Sequence, residues 1–93
     1  MQFEWDKEKA ESNFKKHGVS FAEASTVFGD LSAKMFYDDE HSIDEKREFI
    51  IGYSMMNKLL VVYFTERKNR KLRIISARKP TSIEREDYEE NGQ

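Results

Sequence analysis

The sequence contains no cysteine, no long apolar run and only two histidines. Without cysteine the chain can form neither a disulfide nor a cysteine-based zinc site, and two histidines are too few for most other metal sites. No segment approaches the roughly 20 consecutive apolar residues of a transmembrane helix. The first ten residues carry three acidic side chains, unlike a secretory signal peptide. We therefore expect a cytoplasmic protein with no membrane segment, no metal and no cofactor.

The composition favours one folded domain covering residues 1–93. Hydrophobic residues make up 38% of the chain and aromatic residues 13%. Charged residues reach 37%, but the net charge is only −2, so the chain lacks the high net charge of disordered proteins. A chain of this length can bury somewhat more than about 60% of its unfolded surface, which makes an independent core feasible.

The small net charge conceals an uneven layout. Residues 1–57 carry 7 basic and 12 acidic side chains, a net charge of −5. Residues 58–79 carry 8 basic and 1 acidic, a net charge of +7. Residues 80–93 carry 1 basic and 5 acidic, a net charge of −4. A basic block between two acidic flanks makes a local site for an anion plausible.

Helix start and stop signals predict two short helices near the N-terminus, after an extended segment. Asp6 is a suitable N-cap for the first helix, and Gly18 is suited to end it. Ser20 and Glu23 form a capping box at the start of the second. The two predicted helices cover residues 7–16 and 21–28.

Farther along, the hydrophobic period becomes alternating, which predicts a sheet. Hairpin-length connections at residues 55–58 and 67–70 favour an antiparallel meander. A further capping box, Thr81 with Glu84, predicts a last helix over residues 82–90. The four predicted strands cover residues 33–38, 46–54, 59–66 and 72–77, with a polar turn at residues 39–42. The predicted fold class is α+β.

The third predicted strand is apolar on both faces. Alternate residues from Leu59 to Tyr63 point one way, and those from Leu60 to Phe64 point the other. The N-terminal helices are expected to cover one face. The second face needs a different cover, either the C-terminal segment or a partner.

The chemistry that suits the basic block is cleavage of RNA. Attack of the 2′-hydroxyl on the adjacent phosphorus needs a base, an acid and a cation that stabilises the phosphorane, and it needs no metal. Arginine suits the cationic role because it clamps phosphate oxygens with two donors. Arg67 ends one face of the third strand, and Arg78 continues the alternation of Leu72, Ile74 and Ser76 on the fourth. Antiparallel pairing would place these arginines at opposite ends of the strand pair.

His17, Glu84 and Tyr88 are candidates for moving protons or holding RNA, but each also has a structural interpretation. His17 lies in a helix C-terminal turn, where positive charge favours the dipole. Glu84 belongs to a capping box. Arg85 and Tyr88 are three residues apart on one helix and can simply pack together. The basic cluster at residues 67–71 can be a solvated hairpin tip.

Several segments, taken in order, resemble the BrnT toxins of bacterial type II toxin–antitoxin systems. The sequence KHGVSF at residues 16–21 and the sequence RIISAR at residues 73–78 carry the resemblance most strongly in combination. Further matching segments are Phe3–Asp6, Ile51–Ser54, Leu59–Tyr63 and Thr65–Arg67. The resemblance covers nearly the whole chain.

The resemblance implies a RelE-like fold, with two N-terminal helices, an antiparallel meander of about four strands and a short C-terminal helix. It implies a metal-independent endoribonuclease that cleaves RNA and inhibits translation when free. The implied partner is a BrnA-like ribbon-helix-helix antitoxin. The complex would repress its own operon and would contact operator DNA mainly through the antitoxin.

The resemblance and the basic block together give a set of candidate site residues. The catalytic candidates are Arg67, Arg78, His17, Glu84 and Tyr88. In this hypothesis the two arginines hold the scissile phosphate, His17 or Glu84 transfers a proton, and Tyr88 positions the RNA. The RNA-binding candidates are Arg47, Lys68, Arg70, Lys71, Arg73, Lys79 and Arg85.

Two other functions remain open at this stage. An apolar sheet face beside a basic block also fits a non-catalytic interaction module, in which the charge only steers a partner. Relatives of the RelE fold include toxins that poison DNA gyrase, which would damage DNA and leave messenger RNA intact.

Overall fold

The computed structural model describes residues 1–41 and 46–91. It is an α+β fold, as predicted, in which helices lie on both faces of one sheet. The elements in chain order are β1 (Gln2–Glu4), α1 (Lys7–His17), α2 (Phe21–Ser25), β2 (Lys34–Tyr37), β3 (Arg47–Tyr53), β4 (Leu59–Glu66), β5 (Lys71–Arg78) and α3 (Ser82–Asn91). Within the described residues, no helix is both long enough and apolar enough to cross a membrane.

The caps predicted from the sequence are present. The Asp6 carboxylate accepts hydrogen bonds from the backbone N–H groups of Glu8 and Lys9, and α1 ends at Gly18, whose φ of 71° is left-handed. The second helix is shorter than predicted and gives way to a 3-10 turn over Thr26–Gly29. The Thr26 hydroxyl donates to the carbonyl of Glu23 at 2.6 Å, a local bond that competes with regular helix.

The predicted antiparallel meander is confirmed for β2 to β5, and a fifth strand joins it. The sheet order is β1-β5-β4-β3-β2, and β1 pairs with β5 in parallel. The N-terminal segment, predicted only to be extended, is therefore an edge strand. Of the polar turn predicted at residues 39–42, Asp39–His41 forms a 3-10 turn and the remainder lies outside the described residues.

A register shift between β4 and β5 changes which residues of β5 share a face. Tyr63 pairs with Ser76, whereas the next residue, Phe64, pairs with Ile74. Ile74 therefore points into the core with Phe64, while Ser76 and Arg78 point to the other face. The prediction that Arg78 shares a face with Leu72 and Ile74 is wrong, because the irregularity interrupts the alternation.

The two faces of the sheet have different covers. Side chains of the even-numbered β4 positions pack against α1, α2 and the 3-10 turn, in a core that includes Phe21, Val27, Leu60 and Val62. On the other face α3 packs through Tyr88, which is buried with Ile51, Leu59 and Val61. The C-terminal segment is thus the cover of the second face, and it extends over one end of the strands only.

Asn13 ties the helical layer to the sheet. Its buried side-chain amide donates to the carbonyls of Val19 and Ala77 and accepts from the N–H of Ala77. Because β1 pairs with β5 only as far as Arg73, no strand among residues 1–41 and 46–91 lies on the outer side of this part of β5. The Asn13 amide therefore takes the place of a strand at Ala77 and fixes α1 against the end of β5.

Gly52 of β3 offers a direct test of core packing. A Cβ at this position would lie 2.7 Å from the Cβ of Ala33 and 3.0 Å from a carboxylate oxygen of Asp30. We expect Gly52→Ala to lower the free energy of unfolding by about 1–3 kcal/mol, the usual cost of overpacking. Urea denaturation followed by circular dichroism measures the change.

The matched control is Gly29→Ala. Apart from its chain neighbours and the backbone of its own turn, no described residue has a heavy atom within 4 Å of a Cβ built on Gly29. This variant should change the free energy of unfolding by less than about 0.5 kcal/mol. Equal losses in the two variants would contradict the close approach at Gly52.

Candidate functional site

A row of aromatic side chains crosses the part of the sheet beside α3. Register places Phe36, Phe49 and Tyr63 side by side on β2, β3 and β4. The rings of Phe36 and Phe49 stack with centroids 5.0 Å apart, and the Tyr63 ring follows at 5.2 Å from Phe49. Phe36 is 43% exposed. The aromatic row, as we call these three residues, presents ring surface on which a nucleobase can stack.

A row of polar and basic side chains, the polar row, lies next to the aromatic row, two residues farther along β3 and β4. Arg47, Thr65 and Arg73 are direct neighbours on β3, β4 and β5, and Glu4 of β1 extends the row. The Arg73 guanidinium donates to the Glu4 carboxylate at 3.0 Å, and this bond holds the pKa of Glu4 below its usual value. The Thr65 hydroxyl donates to the backbone carbonyl of Lys46 at 2.8 Å.

The hairpin between β4 and β5 adds further cations beyond this row. The Arg67 N–H donates to the Lys71 carbonyl at 2.8 Å, which closes the hairpin and places both residues at its base. Lys68 and Arg70 are exposed at the tip, where Arg70 has a left-handed φ of 67°. The hairpin part of the basic block thus lies at one end of the sheet, beyond the polar row.

A third group on this side of the sheet is centred on Arg78, the last residue of β5. Its guanidinium makes two parallel bonds to the carboxylate of Glu84, at 2.7 and 2.9 Å. It also donates to the hydroxyl of Tyr63 at 3.2 Å. We call Tyr63, Arg78 and Glu84 the arginine cluster. It joins the aromatic row to the first turn of α3.

The bonds of the cluster fix the charge states of Arg78 and Glu84. Glu84 also accepts from the Thr81 N–H at 2.8 Å, as the predicted capping box requires. The bond from Arg78, with help from Thr81, lowers the pKa of Glu84 to about 2. The same pairing raises the pKa of Arg78 above its ordinary value. Both groups are therefore fully ionised near neutral pH.

The structure brings together only some of the predicted catalytic residues. Arg78 and Glu84 are in direct contact, but Arg67 lies at the opposite end of the strand pair, as expected for antiparallel neighbours. Arg78 is opposite Val61, six residues before Arg67, a separation of about 20 Å along the strand. His17 ends α1 and belongs to the layer on the other side of the sheet.

Tyr88 belongs to α3, and its side chain is buried between this helix and the sheet. Its hydroxyl donates to the carbonyl of Ser32 at 3.2 Å, and its ring meets Tyr53 edge-on at 6.2 Å. Burial raises the pKa of the phenol, which stays protonated near neutral pH. Its contacts in this structure anchor α3 to the sheet.

The predicted RNA-binding residues lie on three parts of the molecule. Arg47 and Arg73 belong to the polar row, and Lys68, Arg70 and Lys71 to the hairpin. Lys79 and Arg85 are exposed on either side of the start of α3.

Sequence reasoning did not single out Tyr63 or the aromatic row. Phe49 and Tyr63 stand at alternating positions of two predicted strands, but their direct pairing is known only from the β3–β4 register of the structure. The contact between Tyr63 and Arg78 had no signal in the sequence. It depends on the β4–β5 register, which the sequence spacing does not determine.

The chain was compared with protein families, with curated proteins and with solved structures. The sequence model of the family described as "Ribonuclease toxin, BrnT, of type II toxin-antitoxin system" matches residues 5–84. No curated protein matches the chain in sequence. Among solved structures, the crystal structure of the Brucella abortus ribonuclease toxin BrnT is similar, with a TM-score of 0.67 and 28% sequence identity. That match covers 88% of this chain and 99% of the Brucella chain.

The family match extends over most of the chain, from the residue before the Asp6 cap to Glu84 of the arginine cluster. It therefore includes the whole meander, the aromatic row and the arginine cluster. The structural match agrees with it in fold and in extent. The chain belongs to the BrnT ribonuclease toxin family of type II toxin–antitoxin systems.

Proposed function

We propose that this protein is an endoribonuclease toxin that cleaves RNA without a metal ion and uses the arginine cluster to hold the scissile phosphate. Family membership supports the activity. The observation that carries the site is the Arg78 fork, placed between the aromatic row and the first turn of α3. A fork of this kind matches the oxygens of a phosphate, and the row beside it provides ring surface for a base.

The chemistry we propose is attack by the neighbouring 2′-oxygen. The 2′-hydroxyl loses its proton and bonds to phosphorus, and the bond to the 5′-oxygen breaks as that oxygen takes up a proton. The products are a 2′,3′-cyclic phosphate and a 5′-hydroxyl. Arg78 would stabilise the negative charge of the phosphorane, and the Tyr63 hydroxyl lies within reach of the same group.

We assign Glu84 a positioning role in the free protein. A carboxylate with a pKa of about 2 is a weak base, and both of its oxygens are already bonded to Arg78. It therefore orients the guanidinium. The predicted role of Glu84 in proton transfer requires the pair to separate when RNA binds, so that the phosphate replaces the carboxylate.

The remaining catalytic candidates fit around this centre in different ways. Arg67 lies about 20 Å from Arg78 along β4. It is therefore suited to bind another phosphate of the same RNA molecule rather than the scissile phosphate. His17 would reach the reaction only if the RNA passed the end of β5 towards α1. Tyr88 would act on RNA indirectly, by holding α3 over the sheet.

The proposed partner is a BrnA-like ribbon-helix-helix antitoxin, as expected for a type II system. The free toxin would inhibit translation in the cytoplasm by cleaving RNA. The antitoxin would neutralise it, and the complex would repress its own operon through contacts that the antitoxin makes with operator DNA. The acidic flanks on either side of the basic block offer surface for a basic antitoxin segment.

The proposed activity is tested with the purified chain and a labelled RNA. We expect cleavage that persists in excess EDTA and yields 2′,3′-cyclic phosphate ends, since the 2′-oxygen is the nucleophile. Induced expression should stop growth, and coexpression of the cognate antitoxin should restore it. Intact RNA together with tight antitoxin binding would support a non-catalytic module. Loss of cleavage in EDTA would contradict metal independence.

Arg78→Gln tests the phosphate site. Loss of the guanidinium removes the main donor to the phosphorane, and we expect single-turnover cleavage to fall about 10²–10³-fold. Arg78→Lys keeps the charge but loses the fork and should recover only part of this activity. Lys9→Ala, an exposed cation on α1, is the control and should cleave normally. Full activity in a folded Arg78→Gln protein would exclude Arg78 from the site.

Glu84→Gln tests the ion pair through the pH dependence of stability. The folded pKa of Glu84, about 2, lies below its ordinary value of 4.5, so its contribution is complete above about pH 4.5. The contribution disappears as the pH falls towards 2. With allowance for solvent exposure, we expect Glu84→Gln to lose about 1–2 kcal/mol at pH 7 and progressively less below pH 4.5.

Urea denaturation at several pH values measures this difference. Glu86→Gln, an exposed carboxylate on the same helix, is the control and should match the parent protein throughout. A deficit in Glu84→Gln that stayed constant from pH 7 to pH 3 would show that the ion pair is not its cause.

A further inference from the structure

Strand β2 forms one edge of the sheet and exposes three large apolar side chains in a row. Met35, Phe36 and Tyr37 are 56%, 43% and 60% exposed. Among residues 1–41 and 46–91, no strand pairs with the outer side of β2. Proteins commonly protect such an edge from other strands with charged side chains or proline, and none of these three residues is charged or proline. The edge is therefore suited to pair with a further strand.

The register with β3 determines which backbone groups of β2 point outwards. The N–H of Asp38 donates to the carbonyl of Arg47 at 2.9 Å, so these two opposite residues form a hydrogen-bonded pair. Bonded and non-bonded pairs alternate along an antiparallel ladder. Phe36, two residues before Asp38, therefore bonds to β3. The backbone N–H and C=O groups of Met35 and Tyr37 point away from the sheet instead.

A second copy of β2, running antiparallel, satisfies all of these outward groups in one register. With Phe36 opposite Phe36 of the second copy, each Met35 faces a Tyr37, and each such pair exchanges both of its backbone hydrogen bonds. A register that pairs Met35 with itself would place Tyr37 opposite Ala33, whose N–H already donates to a carbonyl of its own chain at 3.1 Å. A register that pairs Tyr37 with itself would place Met35 opposite Asp39, which belongs to a 3-10 turn.

The side chains fit the same register. The two Phe36 residues would form a non-bonded pair, in which opposite Cα atoms approach to about 4.5 Å. Each Phe36 ring already stacks on Phe49 with centroids 5.0 Å apart, so the two aromatic rows would join across the seam between the copies. On the other face of the sheet, Met35 of one copy would lie beside Tyr37 of the other, a thioether–aromatic contact.

The charges and the position of α3 are compatible with this pairing. Lys34 of each copy would be opposite Asp38 of the other, so no like charges meet across the seam. Both residues have contacts within their own chain, and the pairing does not require them to give these up. The Tyr88 hydroxyl donates to the Ser32 carbonyl, which places α3 towards the Lys34 end of β2. A two-fold axis at Phe36 therefore puts the two α3 helices at opposite ends of the seam.

We propose that β2 is a self-association surface, at which two copies of this chain join their sheets through antiparallel β2 strands centred on Phe36. The proposal concerns the assembly of the protein and does not rest on the proposed RNA cleavage. A seam of one short strand buries little surface, so the dimer should be weak. It would place one arginine cluster on either side of the joined aromatic rows.

Sedimentation equilibrium of the full chain tests the association. We expect a reversible monomer–dimer equilibrium with a dissociation constant between about 1 µM and 1 mM. Met35→Pro removes an outward N–H without removing a bond to β3, and it should give a folded monomer. A parent chain that stays monomeric at about 1 mM would overturn the proposal. A folded Met35→Pro protein that dimerises like the parent would do the same.

Because the chain has no cysteine, a single introduced thiol tests the register. Phe36→Cys places this thiol at the two-fold axis, where the Cα separation suits a disulfide, so mild oxidation should yield a covalent dimer. Met35→Cys is the matched control. The two Met35 positions would be diagonal neighbours about 7–8 Å apart, beyond the reach of a disulfide, and should crosslink at least about tenfold more slowly. Equal crosslinking of the two variants would overturn the proposed register.

Amide hydrogen exchange identifies the occupant of the edge. The N–H groups of Met35 and Tyr37 should gain protection as the concentration of the chain alone rises, whereas β1, at the opposite edge, should not change. Protection of β2 that appears only when antitoxin is added to a monomeric chain would show that an antitoxin strand occupies the edge, and it would overturn the proposal. Protection gained at β1 instead of β2 would assign the association to the other edge, with the same consequence.

Discussion

The rest of the structure depends on the last two residues of β5, which point to opposite faces of the sheet. Ala77 packs into the helical core, and both of its backbone groups bond to the Asn13 amide of α1. Arg78 points the other way and binds Glu84 at the start of α3. One short stretch of strand therefore fixes both helical layers. Its position is set by the register shift between β4 and β5, without which Arg78 would not meet Tyr63.

This arrangement joins stability to the proposed activity. The bidentate bond that secures the first turn of α3 also holds Arg78 in a defined orientation beside Tyr63. A guanidinium held in this way loses little conformational entropy when it binds a phosphate. The cost is electrostatic, since the incoming phosphate must compete with a carboxylate that is ionised at every physiological pH. In the proposed site, the ion pair would weaken the binding of phosphate and at the same time hold the guanidinium in its orientation for binding.

The sequence allowed prediction of the parts of this structure that are determined by neighbouring residues. The Asp6 and Ser20 caps, the meander and the two apolar faces of β4 follow from local bonds and alternation. The β1 pairing, the shortened α2 and the burial of Tyr88 depend on tertiary contacts, so local patterns do not reveal them. The candidate site, too, could be predicted from the sequence only in part. Its arginines stand out in the charge layout, whereas the aromatic row and the partners of each charge require the register.

The ion pairs of the structure show how the basic block and its acidic flanks interact. Two arginines of the basic block are bonded to carboxylates that come from the acidic flanks on either side of it, Arg73 to Glu4 and Arg78 to Glu84. The flanks thus partly neutralise the block within the folded chain, so a phosphate at the proposed site would have to displace a carboxylate. Lys68 and Arg70 at the hairpin tip are exposed to solvent, so their attraction for RNA is screened by salt. The partly buried arginine cluster is screened less. Steering of RNA would then come mainly from the hairpin, and positioning of the scissile phosphate from the exchange of one carboxylate for one phosphate at Arg78.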